Sequence, residues 1–131
     1  NIVIGADTIV VLNGHIFGKP KDKNESYKML RKLSGRTHEV ITGVALIWKK
    51  REMDITFNVR TNVTFREIPK DYISYYIDSY NTLDKSGSYG IQDWFSVWVE
   101  KIDGCYYNVM GFPLSTFYQY YQSLNNLQDI R

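Results

Sequence analysis

Two patterns of apolar residues divide the chain into predicted strands and turns. Residues 55–65 alternate apolar and polar side chains with a period of two, which predicts a long antiparallel strand exposed on one face. β-Branched runs predict further strands. The dipeptides Asn13-Gly14 and Asp103-Gly104 predict two-residue hairpin turns, because such turns need positive φ at both central positions. The predicted strands are residues 2–4, 8–12, 15–18, 39–48, 55–65, 95–102 and 105–110.

Helical periodicity predicts three helices, over residues 22–33, from Pro69 to about residue 80, and over 114–124. Asp22 has the side chain of an N-cap, and Glu25 three positions later completes a capping-box pattern. Proline is favoured in the first turn of a helix, which places the start of the second helix at Pro69. The inward-facing residues are predicted to be Ser26, Met29, Leu30 and Leu33 in the first helix and Ile73, Tyr76, Ile77 and Tyr80 in the second.

The order of these elements predicts the fold class. Strands and helices mix without a regular βαβ alternation, so we expect an α/β or α+β fold with a mixed sheet. No repeat or long linker interrupts the pattern, and residues 1–131 are therefore expected to form a single domain. Because the chain opens with a buried-strand pattern and lacks an initiator Met, we expect this domain to be incomplete at its N-terminus.

Composition excludes several classes of protein. The formal net charge of +2 is too small for a strongly basic nucleic-acid or membrane surface. The single cysteine, Cys105, excludes an internal disulfide framework and a cysteine-rich zinc site. No apolar run approaches the ~18 residues that a membrane span needs, and no signal-peptide pattern is visible, so we expect a cytoplasmic protein.

Asp7 is the first candidate for chemistry. It stands between two apolar runs, where a carboxylate is costly unless it is paired, hydrogen-bonded or facing a cleft; an ordinary turn residue is the alternative. If Asn13-Gly14 forms the whole turn, Thr8 faces Lys19 across the ladder. A bend near Asp7 would then bring Asp7, Thr8 and Lys19 into one cleft. A solvated charge at a strand end is the alternative interpretation of Lys19.

A second candidate cluster is the glycine-rich segment of residues 84–92, Asp84-Lys85-Ser86-Gly87-Ser88-Tyr89-Gly90-Ile91-Gln92. Gly87 and Gly90 permit close approach of the backbone to a ligand. The amide of Gln92 both donates and accepts hydrogen bonds, as recognition of a base edge requires. An ordinary surface loop is the alternative. His38 adds to neither cluster, and we expect it to cap a helix end or to face solvent.

Six short stretches, read together, carry a resemblance. They are residues 4–8 (IGADT), 18–22 (GKPKD), 33–38 (LSGRTH), 42–44 (TGV), 84–92 (DKSGSYGIQ) and 108–114 (NVMGFPL). In this order they resemble the Maf family of nucleoside triphosphate pyrophosphatases, also called septum-formation proteins. The resemblance covers nearly the whole chain. It implies an elongated α/β fold with a twisted mixed sheet and a cleft between two lobes.

The resemblance also implies roles for individual residues. Asp7 matches the family's catalytic base, and Lys19 matches a lysine that contacts the phosphates. Further substrate-binding positions implied by the match are Thr8 and Gln92, which help to select the base, and Asp84 and Lys85 in the family loop. The Asp-Thr pair together with the later glutamine is similar to the branch of the family that acts on dTTP and UTP.

The implied reaction is hydrolysis between the α- and β-phosphates, which yields a nucleoside monophosphate and pyrophosphate. A divalent cation, Mg²⁺ or Mn²⁺, would offset the charge on the phosphates, and Asp7 would either take the proton of the attacking water or help to hold that metal. Members of the family are often dimers, so a homodimer is expected. The second hypothesis is a non-catalytic nucleotide-binding regulator of septum formation that acts through protein partners.

Two departures from the family pattern stand out. The family's N-terminal Ser-x-Ser-Pro-Arg-Arg loop has no counterpart from Asn1 onward, and Asp93 stands where a glycine usually follows the motif glutamine. The second departure bears on the loop beside the base pocket and therefore on selectivity. A third hypothesis, a nucleic-acid-binding module suggested by Arg60 and Arg66, conflicts with the small net charge.

Overall fold

The structure, a computed structural model, describes residues 1–129, with the backbone alone considered for residues 125–129. Residues 130–131 of the expected single domain lie outside the described residues. Five strands form one antiparallel sheet in the order β2-β1-β3-β4-β5. They are β1 (Ile2–Leu12), β2 (His15–Phe17), β3 (Thr37–Trp48), β4 (Met53–Phe65) and β5 (Val99–Asp103).

The hairpin at Asn13-Gly14 has the predicted register, since Leu12 pairs with His15 and Val10 with Phe17. The two strands predicted over residues 2–12 are one continuous strand, β1, which pairs with β3 without interruption from Ile2 to Val11. The predicted bend near Asp7 is therefore wrong. β2 ends at Phe17, so the ladder stops before Thr8 and Lys19 would face each other.

The predicted combination of strands and helices is confirmed, but the expected mixture of parallel and antiparallel strands is wrong. Every strand pairing within residues 1–129 is antiparallel. Parallel neighbours need a crossover of a dozen or more residues. Here β1 turns directly into β2, and a single turn of 3₁₀ helix, Lys49–Arg51, joins β3 to β4.

Four α-helices accompany the sheet. α1 (Lys23–Leu33) begins as predicted, because the Asp22 side chain accepts a hydrogen bond of 2.8 Å from the backbone N–H of Glu25. The Glu25 carboxylate accepts from the Lys21 N–H at 3.3 Å, one residue before the position of an ideal capping box. The other helices are α2 (Lys70–Ser79), α3 (Tyr106–Met110) and α4 (Leu114–Asp129), and none of the helices within the described range is long and apolar enough to cross a membrane.

Residues 94–110 differ most from the sequence-based prediction. A 3₁₀ helix, Trp94–Trp98, takes the first half of the predicted strand at 95–102, and β5 begins only at Val99. The strand predicted at 105–110 is wrong, because that segment forms α3. The helical turn places the buried Asn108 amide against the carbonyl oxygens of Val40 and Val59, at 3.1 and 3.0 Å. Satisfying these buried polar groups outweighs the strand preference of the neighbouring tyrosines.

The hydrophobic core lies between the sheet and the first two helices, and the imidazole ring of His38 is buried against it. His38 is only 2% exposed, so the expected helix cap or solvent position is wrong. Its Nε2 lies 2.7 Å from the hydroxyl of Tyr89, and its ring packs 5.1 Å from that of Phe65. Burial lowers the pKa of His38 from 6.5 to about 4.

This depressed pKa predicts a loss of stability in mild acid. The unfolded chain binds a proton near pH 6.5 and the folded chain only near pH 4, so stability present above pH 6.5 is lost as the pH falls towards 4. The decrease in the free energy of unfolding that this ring causes is about 3 kcal/mol at most. Urea unfolding at a series of pH values should show a steeper decline for the wild type than for His38→Asn. The exposed His15→Asn should follow the wild type, and parallel curves for the wild type and His38→Asn would contradict the assignment.

Candidate active site

A cavity of about 520 Å³ opens between β1 and the loop of residues 84–93. Its volume lies within the ~300–1,000 Å³ typical of small-molecule sites. The residues of α3 and the turn that follows it close one side of the cavity, from Val109 to Gly111. All six residues singled out from the sequence line this one cavity: Asp7, Thr8, Lys19, Asp84, Lys85 and Gln92.

The cavity exists because β2 is short. Once β2 ends at Phe17, the edge of β1 is free to accept the 84–93 loop. The Ser86 hydroxyl donates to the carbonyl oxygen of Thr8 at 2.6 Å, and the Gly87 N–H donates to the carbonyl oxygen of Gly18 at 3.1 Å. These two bonds hold the loop beside both Thr8 and Lys19. The free edge of β1, and not a bend near Asp7, therefore brings the candidate residues together.

Asp7 and Lys19 are the exposed charges on the β1 side of the cavity. Asp7 pairs with Gly43 of β3, which has no side chain to cover the carboxylate. Among the described residues, neither Asp7 nor Lys19 takes part in an ion pair within 4.0 Å. Lys85 differs, because its ammonium lies 3.2 Å from Asp84 and also donates to the Asn81 carbonyl oxygen at 3.1 Å. Lys19 is therefore the cation with more freedom to bind a phosphate.

The hydroxyl of Thr8 belongs to a short chain of hydrogen bonds that enters the sheet. Its Oγ1 lies 2.9 Å from Oγ1 of Thr42, which is fully buried. Thr42 donates in turn to the carbonyl oxygen of Asn108 at 3.3 Å. A Cβ at Gly111 would lie 3.8 Å from the Thr8 oxygen, so the missing side chain leaves room beside this hydroxyl.

Asp93, the departure from the family pattern, closes the loop on its far side. The Gly90 N–H donates to the Tyr76 hydroxyl at 3.0 Å, which donates to Asp93 Oδ2 at 2.7 Å. Asp93 Oδ1 accepts from the Phe95 N–H at 2.9 Å and caps the 3₁₀ helix that follows. Burial, and then the hydrogen bond to Asp93, raise the pKa of Tyr76 well above its ordinary value, so this hydroxyl keeps its proton. The exposed Gln92 is thus held between two anchored residues.

A metal at this site would depend on the phosphates of a ligand. Within residues 1–129, no group of three or more His, Cys, Asp or Glu side chains stands close enough to hold a metal ion by itself. Asp7 lines the cavity with a carboxylate that has no ion pair among the described residues, and Mg²⁺ is commonly held by one or two carboxylates together with substrate phosphates. The donor set therefore fits a metal carried in with a nucleotide.

The sequence patterns did not predict the hydrogen bonds of the residues that support the site. Ser86, Thr42 and Tyr76 bind the loop and the strand edge through single hydroxyl groups, and no local spacing rule marks such partners. Arg60 and Arg66, which suggested a nucleic-acid surface, each have a carboxylate nearby: Glu39 at 3.5 Å and Glu100 at 3.4 Å. These contacts reduce the local positive charge at both positions.

Comparison with known proteins places the chain in a family. The model of the family described as Maf-like protein matches residues 1–124, and the chain belongs to this family. The dTTP/UTP pyrophosphatase of Thermotoga maritima is 50% identical over 119 residues, which are 91% of this chain and 57% of that protein. The dTTP/UTP pyrophosphatase of Bacillus cereus (strain G9842) is 50% identical over 115 residues, 88% of this chain and 59% of the relative.

A third relative, the dTTP/UTP pyrophosphatase of Thermosipho africanus, is 48% identical over 114 residues, 87% of this chain and 59% of its own length. The chain thus spans 57% to 59% of the length of these curated relatives. The family membership inferred from six short stretches is confirmed.

Proposed function

We propose that this protein is a nucleoside triphosphate pyrophosphatase that hydrolyses dTTP and UTP to the monophosphate and pyrophosphate. The observation that carries the proposal is the convergence of Asp7, Lys19 and Gln92 on one cavity of about 520 Å³. The names of the relatives, dTTP/UTP pyrophosphatase, support the same substrate class.

The phosphates are proposed to lie along the β1 edge. Lys19 binds phosphate oxygens as a point charge, and the lack of an ion pair to it among the described residues leaves it available for that contact. Asp7 takes a proton from the attacking water as the water oxygen bonds to the α-phosphorus. The bond from that phosphorus to the oxygen that bridges the α- and β-phosphates breaks, and pyrophosphate leaves with the bridging oxygen. Catalysis of this kind consists mainly of positioning and charge compensation.

A divalent cation, Mg²⁺ or Mn²⁺, is proposed to enter with the nucleotide and to neutralise charge on the phosphate oxygens. Asp7 is the carboxylate of this chain that would hold it. The two roles proposed for Asp7, base and metal ligand, predict different dependences of the rate on Mg²⁺ in the Asp7→Asn variant.

The base is proposed to lie between the 84–93 loop and Thr8. Gln92 lines the cavity in a segment held on both sides, and its amide is proposed to bind the pyrimidine edge. Asp84 and Lys85, at the start of the same loop, are proposed to bind the remainder of the nucleotide. A homodimer and a cytoplasmic location remain predictions.

The test is the release of pyrophosphate by the intact protein from dTTP, UTP, CTP and GTP in Mg²⁺ and in Mn²⁺. We expect kcat/KM for dTTP and UTP to exceed that for CTP and GTP by at least about 10-fold. Equal rates with all four nucleotides would contradict the proposed substrate class. Binding of UTP without pyrophosphate release in either metal would favour the non-catalytic regulator instead.

A further inference from the structure

We propose that Thr42, a buried residue of β3 that does not line the cavity, sets the hydrogen-bond polarity of Thr8 and so determines selection of uracil and thymine over cytosine. The inference rests on the proposed function, because it concerns the base of that nucleotide. Thr42 is a positioning residue: it acts on the ligand only through the hydroxyl of Thr8.

The direction of the hydrogen bonds follows from counting protons. A threonine hydroxyl has one proton to donate and two lone pairs that accept. Thr42 donates its proton to the carbonyl oxygen of Asn108, which has none to give in return. With both hydrogen bonds formed, we assign Thr8 as the donor and Thr42 as the acceptor in the 2.9 Å contact between the two threonines. The proton of Thr8 is committed to the interior, and its oxygen presents only lone pairs to the cavity.

An oxygen restricted to accepting distinguishes the two kinds of pyrimidine. Uracil and thymine carry a proton on N3, whereas N3 of cytosine is an acceptor at the same position. A free hydroxyl rotates and serves either base, and an amide such as that of Gln92 also serves either by turning over. A fixed acceptor binds uracil or thymine. With cytosine it leaves two acceptors facing each other, and such unpaired buried groups carry a large penalty in binding free energy.

The structure gives this hydroxyl the surroundings that such a role needs. Thr8 is half-buried on the cavity wall, and its backbone is held by the Ser86 hydroxyl at 2.6 Å. Thr42 has no exposed surface, so no solvent competes for its proton. The Asn108 carbonyl oxygen also accepts from the Gly111 N–H at 3.0 Å, and it keeps that bond when the Thr42 hydroxyl is removed.

Thr42→Val is the direct test. Valine fills the same space without a hydroxyl, so the proton of Thr8 becomes free to rotate towards the cavity. We expect the ratio of kcat/KM for UTP to that for CTP to fall by about 10-fold in the intact protein, chiefly through better use of CTP. Thr42→Ser, which restores a hydroxyl, should keep the ratio within about 2-fold of the wild type.

Thr37→Val supplies the matched control. Thr37 lies on the same strand and forms a cross-strand pair with Thr64 at 2.7 Å between the hydroxyl oxygens, but it is exposed and outside the cavity. This variant loses the same kind of bond and should leave the ratio unchanged. Thr42 would be only structural if Thr42→Val altered stability or lowered all activities equally while the UTP to CTP ratio stayed at the wild-type value, and the proposal would then be wrong.

Binding of non-hydrolysable analogues separates this inference from the proposed function. The dissociation constants of α,β-imido-UTP and α,β-imido-CTP are measured by calorimetry for the wild type and for Thr42→Val. A preference for the uracil analogue that Thr42→Val removes supports the inference even where no pyrophosphate is released. Release of pyrophosphate together with an equal preference in both proteins upholds the function and overturns the role of Thr42. Absence of any preference in the wild type also overturns it.

Discussion

Replacing Asp7 with asparagine is expected to lower kcat for UTP by about 10² to 10⁴, the range that positioned general bases contribute. Asparagine has nearly the same shape but cannot take a proton from water. Because Asp7 is exposed and forms no ion pair among the described residues, the fold does not depend on its charge. The dissociation constant for α,β-imido-UTP should therefore stay close to the wild-type value, and urea unfolding should not change.

Asp71→Asn is the control for the loss of one carboxylate. Asp71 lies on the exposed side of α2, away from the cavity, and its substitution should leave both kcat and nucleotide binding unaltered. Turnover by Asp7→Asn at the wild-type rate would remove Asp7 from the mechanism. Equal losses of binding and turnover would argue against a base and in favour of a role in holding the substrate.

A titration with Mg²⁺ then separates the two roles proposed for Asp7. If the carboxylate holds the metal, the Mg²⁺ concentration that gives half-maximal rate rises in Asp7→Asn, and excess metal restores part of kcat. If the carboxylate is the base, that concentration is unchanged and excess metal restores nothing. The wild type is titrated at the same fixed UTP concentration. Because the half-maximal Mg²⁺ concentration does not depend on the amount of folded protein, a difference in stability does not alter the comparison.

Much of this site could be predicted from local sequence patterns, because the hairpin turn and the strand register determine where several of its residues lie. The Asn13-Gly14 turn has one favoured geometry, and that geometry gives the register between Leu12 and His15. This register directs the chain after Phe17 along the part of β1 that contains Thr8, and Lys19 lines the same cavity as Thr8. The side-chain types in the 84–92 segment then indicated a ligand-binding loop, and the structure brings that loop to the same cavity.

Long-range hydrogen bonds account for what the sequence did not reveal. α3 replaces a predicted strand because Asn108 reaches carbonyl oxygens of two strands that lie about fifty to seventy residues earlier in the chain. His38 is in the core because Tyr89, 51 residues later, offers it a hydroxyl. Such partners are chosen by tertiary packing, so periodicity and turn preferences contain no information about them.

Substitution of Gly87 by alanine is expected to produce the largest loss of stability among simple changes in the loop. Gly87 has φ +72°, and a Cβ there would lie 2.7 Å from Cγ2 of Val10 in the core. The left-handed conformation costs a non-glycine residue about 1 kcal/mol or slightly more, and overpacking adds about 1–3 kcal/mol. We therefore expect urea unfolding to show a loss of about 2–4 kcal/mol.

Gly14→Ala separates the two costs. Gly14 has φ +81°, yet no atom lies within 4 Å of its added Cβ, so this variant tests the left-handed conformation without the clash. Its loss should be about 1 kcal/mol, and its activity should equal that of the wild type because the hairpin turn lies outside the cavity. A loss for Gly87→Ala no larger than that for Gly14→Ala would show that Val10 yields to the new methyl group.

The same substitution connects stability to catalysis. Gly87 donates its N–H to Gly18 and follows Ser86, which binds Thr8, so a loop displaced by Val10 moves away from both ends of the site. A displacement of about 1 Å near reacting groups is enough to lower kcat/KM by about 10².

Val10→Ala removes the two methyl groups that would lie 2.7 and 3.3 Å from a Cβ at residue 87. The double variant Val10→Ala/Gly87→Ala should therefore lose less stability, and recover more activity, than the two single changes predict by addition. Additive losses would mean that the core residue and the loop glycine act independently, and that Val10 does not hold the loop in place.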